Sequence, residues 1–156
     1  MRLRPMRPDE LPGFLEHSIQ SYAFGIETQG GQTPEFARSK SEQDHAAILP
    51  QGLDTPNHSL WIVEADEERV GLLWLAERDS GGRQVIFIYD VEIDEAHRGK
   101  GYGRAAMELA EQETHALGIG RIELNVFGAN DVARRLYRSV GYVETSVQMA
   151  KDLDSA

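Results

Sequence analysis

The sequence predicts an α+β domain, a mixed sheet with helices on its faces, with residues 1–156 forming one unit. Three observations predict it. Apolar residues recur at helical spacing through the first third of the chain. From residue 58 to residue 93 they alternate or run together at strand spacing, broken only by short turn sequences. The remainder then alternates helix, strand, helix, strand, and this order places helices on a sheet rather than sheet on sheet.

The first residues, RLRPMR, read as a short edge strand, where Pro5 is tolerated. PDELPGFLEHSIQSYAFGI opens with helix-start chemistry at Pro8 and Asp9 and repeats Leu11, Leu15, Ile19 and Tyr22 along one helical face. TQGGQ reads as a loop. Thr33, Pro34 and Glu35 supply an N-cap, a proline in the first turn and an acid beside the helix dipole, starting a second helix that runs to about Leu49. PQGLDTPNH is a turn-rich connection. HSLWIVEAD and RVGLLWLAER read as strands joined by an acidic turn at Asp66–Glu68, and DSGGR turns the chain into QVIFIYDVEI, whose long apolar run marks an inner strand. A helix follows from about Tyr102 to Leu117, with Ala106, Leu109, Ala110, Glu113 and Leu117 near one face and Gly118 and Gly120 as its stop. RIELNVF is a strand, NDVARRLYRSVG a capped short helix, and YVETSVQMAK a final strand. The pattern counts six strands and four helices.

Composition narrows the function. The net charge of −10 argues against nucleic acid or an anionic membrane as a partner, since phosphate backbones are held by excess Lys and Arg. No Cys is present, so a disulfide framework, a cysteine nucleophile and a cysteine zinc site are impossible. His45, His58 and His115 stand alone without ligand spacing, so no metal is expected, and Trp61 and Trp74 read as core. The N-terminus lacks the apolar stretch of a signal peptide, and no run approaches a membrane span, so the expected location is the cytoplasm. The expected assembly is a monomer or homodimer.

One stretch departs from this acidic average. Residues 90–95 carry four acids, Asp90, Glu92, Asp94 and Glu95; then Arg98, Lys100 and Arg104 follow, threaded through Gly99, Gly101 and Gly103. A glycine-rich turn that opens a helix exposes unpaired N–H groups at the positive end of the helix dipole, and added Lys and Arg make it a cradle for phosphate or pyrophosphate. A Walker A loop is absent, because Lys100 is not followed by Ser or Thr. Gly101, Gly103 and Ala106 match a dinucleotide G-x-G-x-x-A, but seven residues separate Ile93 from Gly101, and Glu123 falls near the start of the next strand rather than its end.

RGKGYG, with Arg98, Gly101 and Gly103 in R/Q-x-x-G-x-G/A, resembles the acetyl-CoA loop of the GNAT N-acetyltransferases, and a strand ending in VEI precedes it. Downstream, Asn130, Ala133, Leu136, Tyr137, Gly141 and Tyr142 resemble the second motif of that family, N-x-x-A-x-x-L-Y-x-x-x-G-[FY]. The resemblance covers residues 58–150. It implies the GNAT fold, a mixed and mostly antiparallel central sheet of about six to seven strands flanked by four helices. It also implies an N-acetyltransferase that moves acetyl from acetyl-CoA, without a metal, to a primary amine of an acceptor, small molecule or protein. A non-catalytic acyl-CoA-binding domain of the same fold is the alternative.

The resemblance assigns roles residue by residue. Arg98, Gly99, Lys100, Gly101, Tyr102, Gly103 and Arg104 would cradle the pyrophosphate, and the backbone of Val91, Glu92 and Ile93 would pair with the pantetheine arm. Asn130 and Ala133 belong to the second cofactor motif, with Asn130 bonding pantetheine or capping its own helix. Tyr137 would be the general acid that donates to the departing sulfur. Some relatives carry a carboxylate before Asn130 where this chain has Asn125, which moves the expected base to Glu92, with Asp90 second. Strand alternation puts Asp90 and Glu92 on one face and Val91 and Ile93 on the other, unless a bulge intervenes. Tyr22 and the PQGLDTPNH connection are candidates for the acceptor pocket.

Overall fold

The computed structural model describes residues 1–154. Five strands form one sheet in the order β1 (Arg2–Pro5), β2 (His58–Ala65), β3 (Glu68–Ser80), β4 (Arg83–Ile93) and β5 (Ile122–Leu124). The first three neighbouring pairs are antiparallel, and β4 and β5 run parallel. Four helices accompany the sheet: α1 (Leu11–Gly30), α2 (Pro34–Ile48), α3 (Tyr102–Ala116) and α4 (Asp131–Ser139).

The expected α+β architecture is therefore present, with one correction to the strand count and one to a strand's length. The sheet has five strands rather than six to seven, because YVETSVQMAK forms none: Val143, Val147 and Met149 are exposed on a segment without a ladder partner among the described residues. RIELNVF is a strand only over Ile122–Leu124. Helix α1 also runs further than expected, absorbing most of TQGGQ and ending where Gly31 takes a left-handed φ of 66°. Both hairpins close in two residues, Asp66–Glu67 and Gly81–Gly82, all with positive φ, the conformation that matches the twist of paired strands.

Two apolar layers flank the sheet. Ala106, Met107 and Ala110 of α3 pack on Val63, Leu73, Leu75, Ile86 and Ile88, and Leu136 and Tyr137 of α4 with Val140 just after it join that layer. The buried stripe of α3 is Ala106, Met107, Ala110 and Thr114, whereas Leu117 is exposed. On the opposite face, Phe14 of α1 and Leu49 after α2 close over Leu60, Ile62, Leu72 and Trp74. Each such side chain, fully buried, contributes about 1.5–3 kcal/mol.

Helices α1 and α2 are joined by a buried polar contact. His45 Nδ1 hydrogen-bonds the Ser41 carbonyl at 2.8 Å, and its Nε2 meets the Ser18 hydroxyl at 2.8 Å. Both ring nitrogens are thus satisfied within the core.

Strand β4 carries a bulge. Trp74 pairs with Asp90 while Leu75 pairs with Ile88, so Tyr89 is an extra residue. Before the bulge, Ile86 and Ile88 belong to the α3 layer; after it, Val91 and Ile93 do. Tyr89 packs with the α1/α2 layer, and Asp90 and Glu92 lie opposite Trp74 and Leu72 of that layer. Opposed residues share a face, so both carboxylates turn toward α1. The expected alternation over residues 90–93 survives because the bulge precedes it. Gly71 stands opposite Ile93, where a Cβ would collide with the Glu92 carbonyl oxygen.

Candidate active site

Strands β4 and β5 part at the bulge. Their ladder holds only Ile86, Ile88 and the intervening Phe87 against Ile122–Leu124. Beyond Ile88, β4 continues to Ile93 with no partner on its β5 side among the described residues. The chain leaving β5 instead turns to α1. Phe127 lodges against Gly25 so closely that any Cβ there would overlap its ring, and Ala129 N–H donates to Gln29 Oε1 at 3.3 Å. Helix α1 therefore spans the fork, touching β4 through His17 and the far prong through Gly25 and Gln29.

The glycine loop closes the end of β4. Arg98 Nε donates to the Ile93 carbonyl at 3.0 Å and ties the loop to the strand. Gly99 and Gly101 have φ of 78° and 83°, with open space where a Cβ would stand. That conformation suits glycine and leaves backbone exposed beside the N-terminus of the fifteen-residue α3. Lys100 is exposed, Tyr102 packs into the α3 layer, and Arg104 Nη2 donates to Ser139 Oγ on α4 at 3.0 Å. Gly103 has an ordinary helical φ; a Cβ there would come within 3.1 Å of Leu136 Cδ2, so this glycine lets α3 and α4 approach. At the start of α4, Asn130 Oδ1 accepts from Ala133 N–H at 3.3 Å, the capping alternative of the two expected for it.

Tyr137 lies near enough to Asp90 at the fork to feel its charge, and Glu92 stands two residues further along β4. Burial, and then the charge of Asp90, push the Tyr137 phenol up to about 12, so it keeps its proton at neutral pH. Asp90 is pushed up to about 7, by burial first and the charge of Glu92 second, with His17 opposing. By area Asp90 is only partly covered, but its surroundings are crowded enough that lost hydration leads. Glu92 Oε1 lies 2.7 Å from His17 Nε2. His17 was not legible in the sequence: 75 residues separate it from Glu92, and no local motif marks it.

The raised Asp90 has a consequence for stability. Between its ordinary value of 3.8 and about 7, the folded carboxyl holds a proton that the unfolded chain has released. Stability therefore falls as pH rises through that window. Asp90→Asn cannot ionise, and it is expected to gain more in Tm over the wild type at about pH 8 than at about pH 4. Thermal melts at the two pH values check this; an equal offset at both would remove the desolvation argument.

The remaining singled-out residues have other surroundings. Trp74 Nε1–H donates to His58 Nδ1 at 3.0 Å, and burial lowers the pKa of His58. Trp74 is core, and Trp61 packs partly buried on the α3 layer. Tyr22 lies half-exposed between His45 and Phe127, at the far prong of the fork. The PQGLDTPNH connection packs through Leu53 on the α1/α2 layer, with Gly52 against Leu11. Among the described residues no group of three or more His, Asp or Glu has the geometry to hold a metal, and no helix is long and apolar enough to cross a membrane.

Known proteins resemble this chain in sequence and fold. The chain is 38% identical over 152 residues to the Bacillus subtilis protein named uncharacterized N-acetyltransferase YycN, covering 97% of each. It is 36% identical to a second B. subtilis protein, uncharacterized N-acetyltransferase YdgE, again over 97% of each. The crystal structure of YycN superposes with a TM-score of 0.92 at 37% identity, covering 97% of this chain and 98% of that one. Residues 26–142, from the end of α1 through the fork and the glycine loop to Tyr142, match the sequence profile of the Acetyltransferase (GNAT) family, and the chain belongs to that family.

Proposed function

We propose that the protein transfers the acetyl group of acetyl-CoA directly to a primary amine. The observation that carries this reading is the fork. It brings a protonated phenol, Tyr137, from the α3/α4 face and two carboxylates, Asp90 and Glu92, from the α1/α2 face to one opening in the sheet.

The residues present fit acetyl-CoA. Gly99 and Gly101 leave open space at the α3 N-terminus for a pyrophosphate, with Arg98, Lys100 and Arg104 supplying charge and Tyr102 and Gly103 completing the turn. Among the described residues no strand pairs with the β5 side of β4 beyond Ile88, so the stretch Val91, Glu92 and Ile93 can take an extended pantetheine arm there as it would a strand, with the Ile93 carbonyl already accepting from Arg98 Nε. Asn130 spends its oxygen on the cap and keeps its amide for the arm, and Ala133 presents only a methyl group.

Acetyl-CoA supplies the thioester and a thiolate leaving group. Backbone N–H near Ile93 donates to the thioester oxygen as it gains negative charge. Glu92 takes the proton that the amine must lose before it can attack. Asp90, two residues away, is held partly protonated near neutral pH by burial and then by the charge of Glu92. Tyr137 donates its O–H to the departing sulfur. The acidic face and the net charge of −10 favour a cationic acceptor, through attraction that weakens with salt.

The test has two arms. Acetyl-CoA is expected to raise the Tm of the wild type by ligand linkage. Lys100→Glu, at an exposed position, is expected to weaken that binding by about tenfold, the scale of one charge-assisted contact. Equal Tm shifts in both proteins would overturn the cradle. In the second arm, spermidine, a lysine peptide, a peptide with a free N-terminus and an aminoglycoside are offered with acetyl-CoA, and released thiol is measured. The protein contributes no thiol of its own. Binding without thiol release from any amine would make this an acyl-CoA-binding domain rather than an enzyme.

A further inference from the structure

Resting on the reading of Glu92 as the base, we propose that His17 is its positioning residue: from α1, across the sheet face, it holds one oxygen of Glu92 and leaves the other to the amine. The contact is His17 Nε2 to Glu92 Oε1 at 2.7 Å. A glutamate has three rotatable side-chain bonds, and a general base must stay within hydrogen-bond reach of its proton. An imidazole that donates from Nε2 fixes one carboxylate oxygen and leaves the other open.

The local electrostatics single out this pairing. Beside the contact stands Asp90 on β4, which feels the charges of both Glu92 and His17; Glu16 precedes His17 on α1. Glu16 is engaged by both terminal nitrogens of Arg38 on α2, each at 3.1 Å, so it does not compete for the ring. Glu92 has 26% of its side-chain area exposed and His17 53%. The carboxylate is thus sheltered in the fork, and the imidazole reaches it from the solvent side. Helix α1 is held at the far prong, by Gly25 against Phe127 and by Gln29 to Ala129, and on the sheet by Phe14 packed edge-on against Trp74, which keeps His17 beside β4.

The experiment is a double-mutant cycle, read with whichever panel amine turns over fastest. His17→Ala is expected to lower kcat by about tenfold, a coupling of the size seen between residues that act together, with the KM for acetyl-CoA unchanged. His17→Gln places an amide N–H near the position of Nε2 and is expected to restore most of the loss. In a Glu92→Gln background, His17→Ala is expected to cost little more. Full activity of His17→Ala beside an impaired Glu92→Gln would overturn the positioning role and leave Glu92 as the base. An equal loss from His17→Ala in both backgrounds, or no rescue by His17→Gln, would also overturn it. Wild-type activity in Glu92→Gln, with chemistry rate-limiting, would remove the base assignment itself. If no panel amine turns over, the acetyltransferase reading falls and the positioning role with it.

Discussion

Tyr137→Phe is expected to lower kcat by at least tenfold while leaving the affinity for acetyl-CoA nearly unchanged. The substitution keeps the ring, which packs with Leu136 and Val140 on the α3 layer, and removes only the O–H. General-acid contributions are worth about 10²–10⁴ in rate, so a tenfold loss is the lower bound of the expectation. Burial beside Asp90 keeps the phenol protonated up to about pH 12, so no alkaline fall in the wild-type rate near neutral pH should trace to Tyr137. Pre-steady-state thiol release separates chemistry from product release. An unchanged rate of the chemical step would return Tyr137 to a packing role.

The second large effect belongs to Glu92→Gln, which keeps the size of the side chain and removes its basicity. Its kcat/KM for the amine is expected to drop most at low pH, where few acceptor molecules are already deprotonated, and to recover in part at high pH. Asp90 complicates the profile in a defined direction. With its carboxyl pushed up to about 7, it ionises just as the pH passes neutral, and in Glu92→Gln it loses the nearby charge that helps hold its proton. Asp90 then becomes the second carboxylate able to serve, so the rescue should shrink in the Asp90→Asn, Glu92→Gln double variant to the part that already neutral amine supplies. Wild-type pH profiles in both single variants would leave no strand carboxylate as the base.

Much of this site was legible in the sequence because its chemistry is local. The glycine loop declares itself by charge and glycine within seven residues, 98–104, and the Asn130 cap and Tyr137 lie on one nine-residue helix with its boundary residue. What escaped depends on distance or on partners. His17 meets Glu92 only because α1 crosses the fork. The bulge at Tyr89 is a property of the β3–β4 register, which a single strand's pattern does not encode. YVETSVQMAK alternates as a strand should, but a strand exists only with a neighbour, and β5 ends after three residues. Gly103 carries a second constraint that its place in the loop does not reveal: a Cβ there would press on Leu136 of α4.

The bulge also constrains how a lineage of such chains can vary. From Asp90 to Ile93 alternate residues serve opposite sides of the sheet, carboxylates toward α1 and apolar groups toward α3. One residue gained or lost within that interval would exchange the two sets, turning acids into the apolar layer and Val91 and Ile93 toward the acceptor. Side chains there can drift one at a time, but the count of residues between the bulge and the glycine loop cannot drift by one. Length, more than identity, is what this stretch must inherit.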